Sequence, residues 1–263
     1  MNGNLPAAYG TVDLAFADAM ATLTLRRPAK LNALTPEMLD VMAQHIAVIA
    51  ASDARVVVLR GEGPKAFCVG ADIGRFADLA PVQMLEWTAR GHRVFDALAA
   101  LRQPSVAVMH ALAFGGGLEL ALACDLRVVA DSARLGLPEV GLGTVPGWGG
   151  TERLTELVGR ARAKEIVLAR RTIEGPTAES WGVATACVPL EALEDTVAEL
   201  VARIAAGAPV AVSLAKQLID AAADGAPSRI LEQLAGAVTT ATEDLRTGIN
   251  GFRSGATPQF AGR

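Results

Sequence analysis

Ser105-Val106-Ala107-Val108-Met109-His110-Ala111-Leu112-Ala113-Phe114-Gly115-Gly116-Gly117-Leu118-Glu119-Leu120-Ala121-Leu122-Ala123-Cys124-Asp125 reads as three elements in succession. Residues 105–109 form a short run, apolar after its first member, of the kind that makes a strand buried on both faces. Gly115-Gly116-Gly117 then breaks the chain with three residues that have no Cβ. Residues 116–124 are apolar at helical spacing and carry one acid, Glu119. The enclosing window, 103–124, is long enough to cross a bilayer. Pro104, His110, the glycines and Glu119 oppose that reading, the acid alone costing about 2.5–3.5 kcal/mol at a helix centre. Strand, turn and core helix is the better account, and it leaves a question: why an acid stands in an apolar helix.

The same unit recurs on either side. Residues 55–60 are a β-branched run closed by Gly61-Glu62-Gly63-Pro64, and 126–130 make a third buried strand. Met84, Trp87, Gly91, Val94, Phe95, Leu98 and Leu101 keep the 3.6-residue period of a long helix. Alternation over 11–16 and 21–25, with a turn near Asp18, predicts an opening hairpin. Thr35-Pro36-Glu37 is a helix start, followed by Met38, Val41, Met42, His45, Ile46 and Ile49 up to about Ser52. Such alternation predicts an α/β fold with buried strands. From Gly149 the pattern turns helical over 151–158, 161–169, 190–206, 210–223 and 228–246, with one strand at 185–188. Leu190, Leu193, Val197, Leu200, Val201 and Ile204 make one apolar stripe, and Ile230, Leu234, Val238, Ala241 and Leu245 another. These stripes close the core or pack on another subunit. No low-complexity linker interrupts the chain, so one domain is expected, with a core over 1–190 and a helical region over 191–263.

The 263 residues are 51% apolar and 20% charged, which excludes disordered, collagen-like and disulfide-scaffold classes. A net charge of −4 without a basic stripe argues against nucleic acid as a partner. Cys68, Cys124 and Cys187 are far apart and form no CxxC pair, and His45, His92 and His110 show no HExxH spacing, so no metal is expected. Residues 1–10 have neither a basic n-region nor an apolar h-region, and the expected location is the cytoplasm.

Two glycine-bearing turns each follow a predicted buried strand: Phe67-Cys68-Val69-Gly70-Ala71-Asp72-Ile73 and Phe114-Gly115-Gly116-Gly117-Leu118-Glu119. Turns of small residues leave backbone N–H groups free, and a helix that starts there adds its positive end. Either alone reads as a tight turn; the two together could form an oxyanion hole. Neither fits GxGxxG, and no Walker A or GxSxG motif occurs, which removes the dinucleotide, P-loop and serine hydrolase readings. Glu119 stands one helical turn beyond Gly116, and its apolar flanks should raise its pKa. A second acid, Glu139, lies in Leu135-Gly136-Leu137-Pro138-Glu139-Val140-Gly141-Leu142 ahead of a Gly/Pro-rich loop. Each acid alone could equally be a structural residue held by backbone N–H groups or an arginine. Cys68, beside the first turn without a histidine in sequence, reads as a buried inert thiol.

The sequence resembles the crotonase superfamily, the enoyl-CoA hydratases and isomerases, over nearly its whole length. The resemblance is carried by Arg27-Pro28-Ala29-Lys30-Leu31-Asn32-Ala33-Leu34, by Phe67 to Ile73, by Ala113 to Asp125, and by Leu137 to Leu154 with Pro146-Gly147-Trp148-Gly149-Gly150-Thr151-Glu152-Arg153-Leu154. It implies a crotonase-like spiral of ββα repeats with a C-terminal helical trimerisation region, commonly a dimer of trimers. It implies that the N–H groups of Ala71 and Gly116 hold a thioester carbonyl, and that Glu119 and Glu139 are the two hydratase acids. Lys30, Leu31, Ala33, Ala71, Asp72, Ile73 and Gly74 would then line the coenzyme A path, with Asp72 structural there. Trp148 and Trp87 would shape the acyl pocket, Trp87 reading also as a core residue. Two segments depart from the family pattern. Phe252-Arg253-Ser254-Gly255-Ala256 stands where relatives often carry Phe-Leu-Glu-Lys-Arg, which leaves Arg253 as the basic residue for a CoA phosphate, and Gly74 replaces a common lysine.

The superfamily hosts several reactions at one enolate-stabilising site, so the acids decide. With both present, the resemblance implies hydration of a trans-2-enoyl-CoA without a cofactor beyond the CoA of the substrate. The alternatives are a Δ3,Δ2-enoyl-CoA isomerase or another acyl-CoA enzyme of the superfamily and, in another class, a non-catalytic acyl-CoA-binding or RNA-binding member.

Overall fold

The computed structural model describes residues 10–75 and 78–263. The expectation for residues 1–10 lies, apart from Gly10, outside them. The chain opens with a hairpin of β1 (Thr11–Ala17) and β2 (Met20–Arg26), paired antiparallel, and α1 (Pro36–Ala50) follows. Thr35 caps α1 by accepting a hydrogen bond from Met38 N, and Pro36 takes the first helical position, where no N–H is needed.

Three ββα units come next. They are β3 (Val56–Gly61), β4 (Ala66–Cys68) and α2 (Pro81–Ala99); β5 (Ser105–Met109), β6 (Leu112–Phe114) and α3 (Gly116–Leu122); and β7 (Leu126–Ala130), β8 (Arg134–Gly136) and α4 (Gly150–Leu168). The first strand of each unit joins one sheet and the second joins another. β2, β3, β5 and β7 run parallel in a six-stranded sheet, while β4, β6 and β8 run parallel in a four-stranded one. β5 is buried at all five positions, as its unbroken apolar run requires. Corresponding points of successive units are thereby neighbours, so the turns that leave β4, β6 and β8 lie side by side.

The remainder is β9 (Ile173–Glu174), α5 (Gly175–Trp181), β10 (Ala186–Val188), α6 (Leu193–Ala205), α7 (Pro209–Ala223), α8 (Ser228–Thr240) and α9 (Glu243–Ser254). β9 closes the second sheet antiparallel to β8, and β10 extends the first beside β7. Two sequence expectations need amendment. The helix over 228–246 is two helices, because Thr242 takes an extended conformation and caps α9 through Leu245 N. The second sheet went unread, since strands of two or three residues are too short to show a period. The division between 158 and 161 is real, for Gly159 interrupts α4 with φ 74 and ψ 163.

Among the described residues no single helix is long and apolar enough to cross a membrane; α6 and α7, bent at 104°, pass that test of length and composition only as a pair. Nor does any group of three or more metal-ligating side chains occur among them.

Candidate active site

Ala71 and Leu34 form an isolated parallel bridge: Leu34 N donates to Gly70 O at 2.7 Å and Asp72 N to Leu34 O at 2.9 Å. In such a bridge one residue bonds to both neighbours of the other, so the N–H of Ala71 itself points away from Leu34. Gly116 is the first residue of α3, where an N–H has no acceptor within the helix. The two turns touch. A Cβ on Gly70 would stand 2.7 Å from Gly116 N, and one on Gly117 only 2.1 Å from Cys68 O. Gly115 has φ 54, a conformation that favours glycine. Gly115 is thus required by its positive φ, Gly117 by the close approach of the Cys68 backbone, and Gly116 by the Trp148 ring, which a Cβ would meet at 2.5 Å.

All seven residues of α3 are buried, which suits a helix that is apolar all round, and Glu119 is buried with them at 2% exposure. Its Oε1 accepts from Trp148 N and Gly150 N, both at 2.8 Å. Burial raises its pKa, against the pull of the backbone donors of residues 147, 148 and 150. A Cβ on Gly150 would lie 2.6 Å from Glu119 Cγ, so glycine there admits the carboxylate.

Glu139 leaves β8 through Pro138 and begins a short 3-10 turn, Glu139–Leu142. Its carboxylate lies against the second glycine turn, Oε1 being 3.1 Å from where a Cβ on Gly115 would stand. Both of its oxygens are buried and have no hydrogen-bond partner among the described residues. Burial pushes its pKa up to about 7, and the charge of Glu119 adds to the rise. Two carboxyls therefore share one cavity of about 120 Å³, one held by backbone donors and the other by none. Ala71, Gly116, Ile73, Trp87 and Trp148 line the same cavity.

Trp148 forms a wall of this cavity beside the second glycine turn. Its ring meets Trp87 edge to face at 5.1 Å and Phe95 at 5.3 Å. A Cβ on Gly91 would come within 2.0 Å of its Nε1, so α2 needs glycine there to seat the ring. Trp87 is half-buried and belongs to the cavity wall as well as to the packing.

The other expected positions fall into two groups. Lys30 and Gly74 are exposed, Leu31 is half-buried and Ala33 buried. They stand near Ala71 because Val69 N donates to Leu31 O and Gly74 N to Asp72 Oδ1. Asp72 pairs with Arg27 at 2.7 Å. Arg253 is exposed on α9, beside a separate apolar depression of about 420 Å³ shared with Phe252 and Phe260, and does not line the cavity of the two acids. Burial pushes the Cys68 thiol up to about 12, which fits the inert reading. Sequence reasoning passed over Arg27 and Asn32, both buried and both bonded around the first turn. The available signal was a polar residue, able to take a left-handed conformation, directly ahead of the apolar pair Ala33-Leu34.

A model of the enoyl-CoA hydratase/isomerase family matches residues 15–263. The chain belongs to that family. Within it, the chain is 38% identical to a short-chain-enoyl-CoA hydratase of Clostridium acetobutylicum over 202 residues, 76% of this chain and 77% of that one. It is 34% identical to a crotonyl-CoA hydratase of Syntrophomonas wolfei over 251 residues, covering 93% and 95%. The crystal structure of an enoyl-CoA hydratase from Bacillus anthracis superposes with a TM-score of 0.92 at 33% identity, covering 96% of this chain and 99% of that one. The ββα spiral expected of a crotonase is therefore the fold of this family member, and hydratase activity is represented among its relatives.

Proposed function

We propose that this protein is an enoyl-CoA hydratase that adds water to short trans-2-enoyl-CoA thioesters. One observation carries the reading: Glu119 and Glu139 line a single cavity beside two outward-facing N–H groups, and their surroundings treat charge differently. Backbone donors favour the ionised form of Glu119. Glu139, with no donor and a neighbouring carboxylate, is the place for the proton.

The thioester oxygen accepts from Ala71 N–H and Gly116 N–H, one such preorganised donor being worth about 3–4 kcal/mol as negative charge develops. Glu119 takes a proton from water as the hydroxyl bonds to the β-carbon. The π electrons of the double bond move toward the thioester carbonyl, and Glu139 gives its proton to the α-carbon. Water is added across the double bond, the pair still holds one proton, and no group beyond the substrate's own coenzyme A takes part.

The acyl side favours a small substrate. The rings of Trp87 and Trp148 stand in the wall of the cavity. Two relatives named for short-chain-enoyl-CoA and crotonyl-CoA support the same size. Backbone at Lys30, Leu31, Ala33 and Asp72 to Gly74 is proposed to guide the coenzyme A portion. Exposed apolar residues on α7 and α8, among them Ile219, Ile230, Leu234 and Val238, are proposed to pack against further copies in a trimer or dimer of trimers, with Arg253 offered to a neighbour's coenzyme A phosphate.

The deciding experiment is a panel of trans-2-enoyl-CoA thioesters of increasing chain length, followed by loss of enone absorbance. Fastest turnover on the four-carbon member is expected. Binding without hydration on every member overturns the proposal. A 3-enoyl-CoA belongs in the panel, because an unpartnered acid such as Glu139 can also shuttle a proton between carbons.

A further inference from the structure

Asn32 has no exposed surface and sits at φ 57 in the loop between β2 and α1, in contact with both ends of the loop that leads into the first glycine turn. Its Oδ1 accepts from Arg27 N at 2.9 Å. Its Nδ2 lies within 2.9 Å of Glu62 O, 3.0 Å of Ala66 O and 3.1 Å of Phe67 O. Its carbonyl accepts from Cys68 Sγ at 3.1 Å, and that sulfur accepts in turn from Gly70 N at 3.4 Å. On the far side of Ala71, Asp72 Oδ2 meets Arg27 Nη1 at 2.7 Å, and the same nitrogen donates to Ala33 O at 3.1 Å. Arg27 and Asn32 thus join into one clamp, closed before Ala71 through Cys68 and Gly70 and after it through Asp72.

We propose that this clamp of Asn32, Arg27 and Asp72 positions the Ala71 N–H for the thioester oxygen, an inference that rests on the hydratase reading. An N–H donor works through direction and distance, and hydrogen bonds weaken steeply as they bend. Nothing in Ala71 itself sets its direction: the residue has no polar side chain, and its peptide plane is fixed by the bridge of Leu34 to residues 70 and 72 and by what holds that bridge in place. Asn32 supplies that hold from within the core, where a carboxamide bridging three carbonyls and an N–H has no water to replace it. The three residues are positioning residues; none of their side chains lines the cavity of the two acids.

The test uses two variants of the full-length protein, one from each arm. Asn32→Gly keeps the left-handed backbone open and deletes the whole side chain, the carboxamide with its methylene. Asp72→Asn keeps the shape and removes the charge from the Arg27 pair. Two readouts are taken: steady-state hydration of crotonyl-CoA, and the infrared thioester carbonyl stretch of bound butanoyl-CoA, which has no double bond to hydrate. In the wild type the stretch is expected at lower frequency bound than free; if it is not, the oxyanion reading of the site itself fails. In either folded variant kcat is expected to fall at least about tenfold with KM changed less than about threefold, and the stretch to move back toward its free value. A wild-type stretch and kcat in a folded variant overturn the clamp. So does a rise in KM alone in Asp72→Asn, which would make Asp72 a coenzyme A contact. Should Asn32→Gly fail to fold, Asp72→Asn decides by the same two readouts.

Discussion

Trp148 is tied to Glu119 through both backbone and ring: its N–H donates to Glu119 Oε1 at 2.8 Å, and its ring lies over Gly116, the residue that opens the helix bearing Glu119. One wall of the cavity and the seat of one acid are therefore a single unit. Anything that displaces the ring moves the carboxylate's donor as well.

Gly91 is the position where that coupling can be tested from a distance. Replacing a helix-interior glycine by alanine ordinarily stabilises by roughly 0.5–1 kcal/mol. Here the added Cβ would fall 2.0 Å from Trp148 Nε1, and with Gly116, Trp87 and Phe95 against the ring it can yield only into the cavity of the two acids. Overpacking costs about 1–3 kcal/mol and outweighs the helical gain. Gly91→Ala is expected to lower both the thermal midpoint and kcat for crotonyl-CoA. A raised midpoint with unchanged kcat would mean that the ring is free to move.

Glu119→Gln separates the acid's chemistry from its structural role. Trp148 N and Gly150 N both donate to one oxygen, Oε1, which the amide retains, so the loop after Glu139 keeps its anchor. Only the ability to take a proton from water is lost. Turnover is expected to fall by about 10²–10⁴, with a thermal midpoint close to that of the wild type.

The proton shared by the two acids sets the pH profile. In the proposed hydration the proton starts on Glu139 and ends on Glu119, which makes the singly protonated pair the reactive form in both directions. With Glu139 near 7, that form is lost as pH rises through neutrality. Log kcat/KM for hydration is expected to decline above about pH 7. Dehydration of 3-hydroxybutanoyl-CoA is expected to decline in parallel, because the overall reaction takes up no net proton. A log kcat/KM that stays flat above about pH 7 would contradict a single proton held by the pair.

The elements that carry the site were visible in the sequence in proportion to their length. β3, β5 and β7 announce themselves as apolar runs, and the glycines mark both N–H turns. β4, β6 and β8 are three residues each and show no period, yet they are what bring Ala71, Gly116 and Glu139 side by side. Spacing showed two acids in apolar surroundings; it could not show that Trp148 and Gly150 donate to one of them while neither oxygen of the other has a hydrogen-bond partner among the described residues. Arg27 and Asn32 escaped notice for a related reason. Their partners are mostly backbone atoms some 30 residues away or across the loop, and backbone atoms have no sequence signature.

Glu139 also leaves a mark on stability. Its carboxyl has an ordinary value of 4.5 and is raised to about 7 in the folded chain, so between those values the folded state binds more protons than the unfolded one. Stability from this group is fully present below about 4.5 and is lost as pH climbs through about 7, because the buried carboxylate must then ionise without a donor. Glu139→Gln removes the titrating group. Its amide carries a constant cost of burial, but that cost does not change with pH. The stability of the wild type relative to the variant is therefore expected to decline from about pH 5 to about pH 8 and to level off above that. Urea unfolding of both proteins across that range measures it, and a pH-independent difference would place Glu139 at an ordinary carboxylate value in the folded chain.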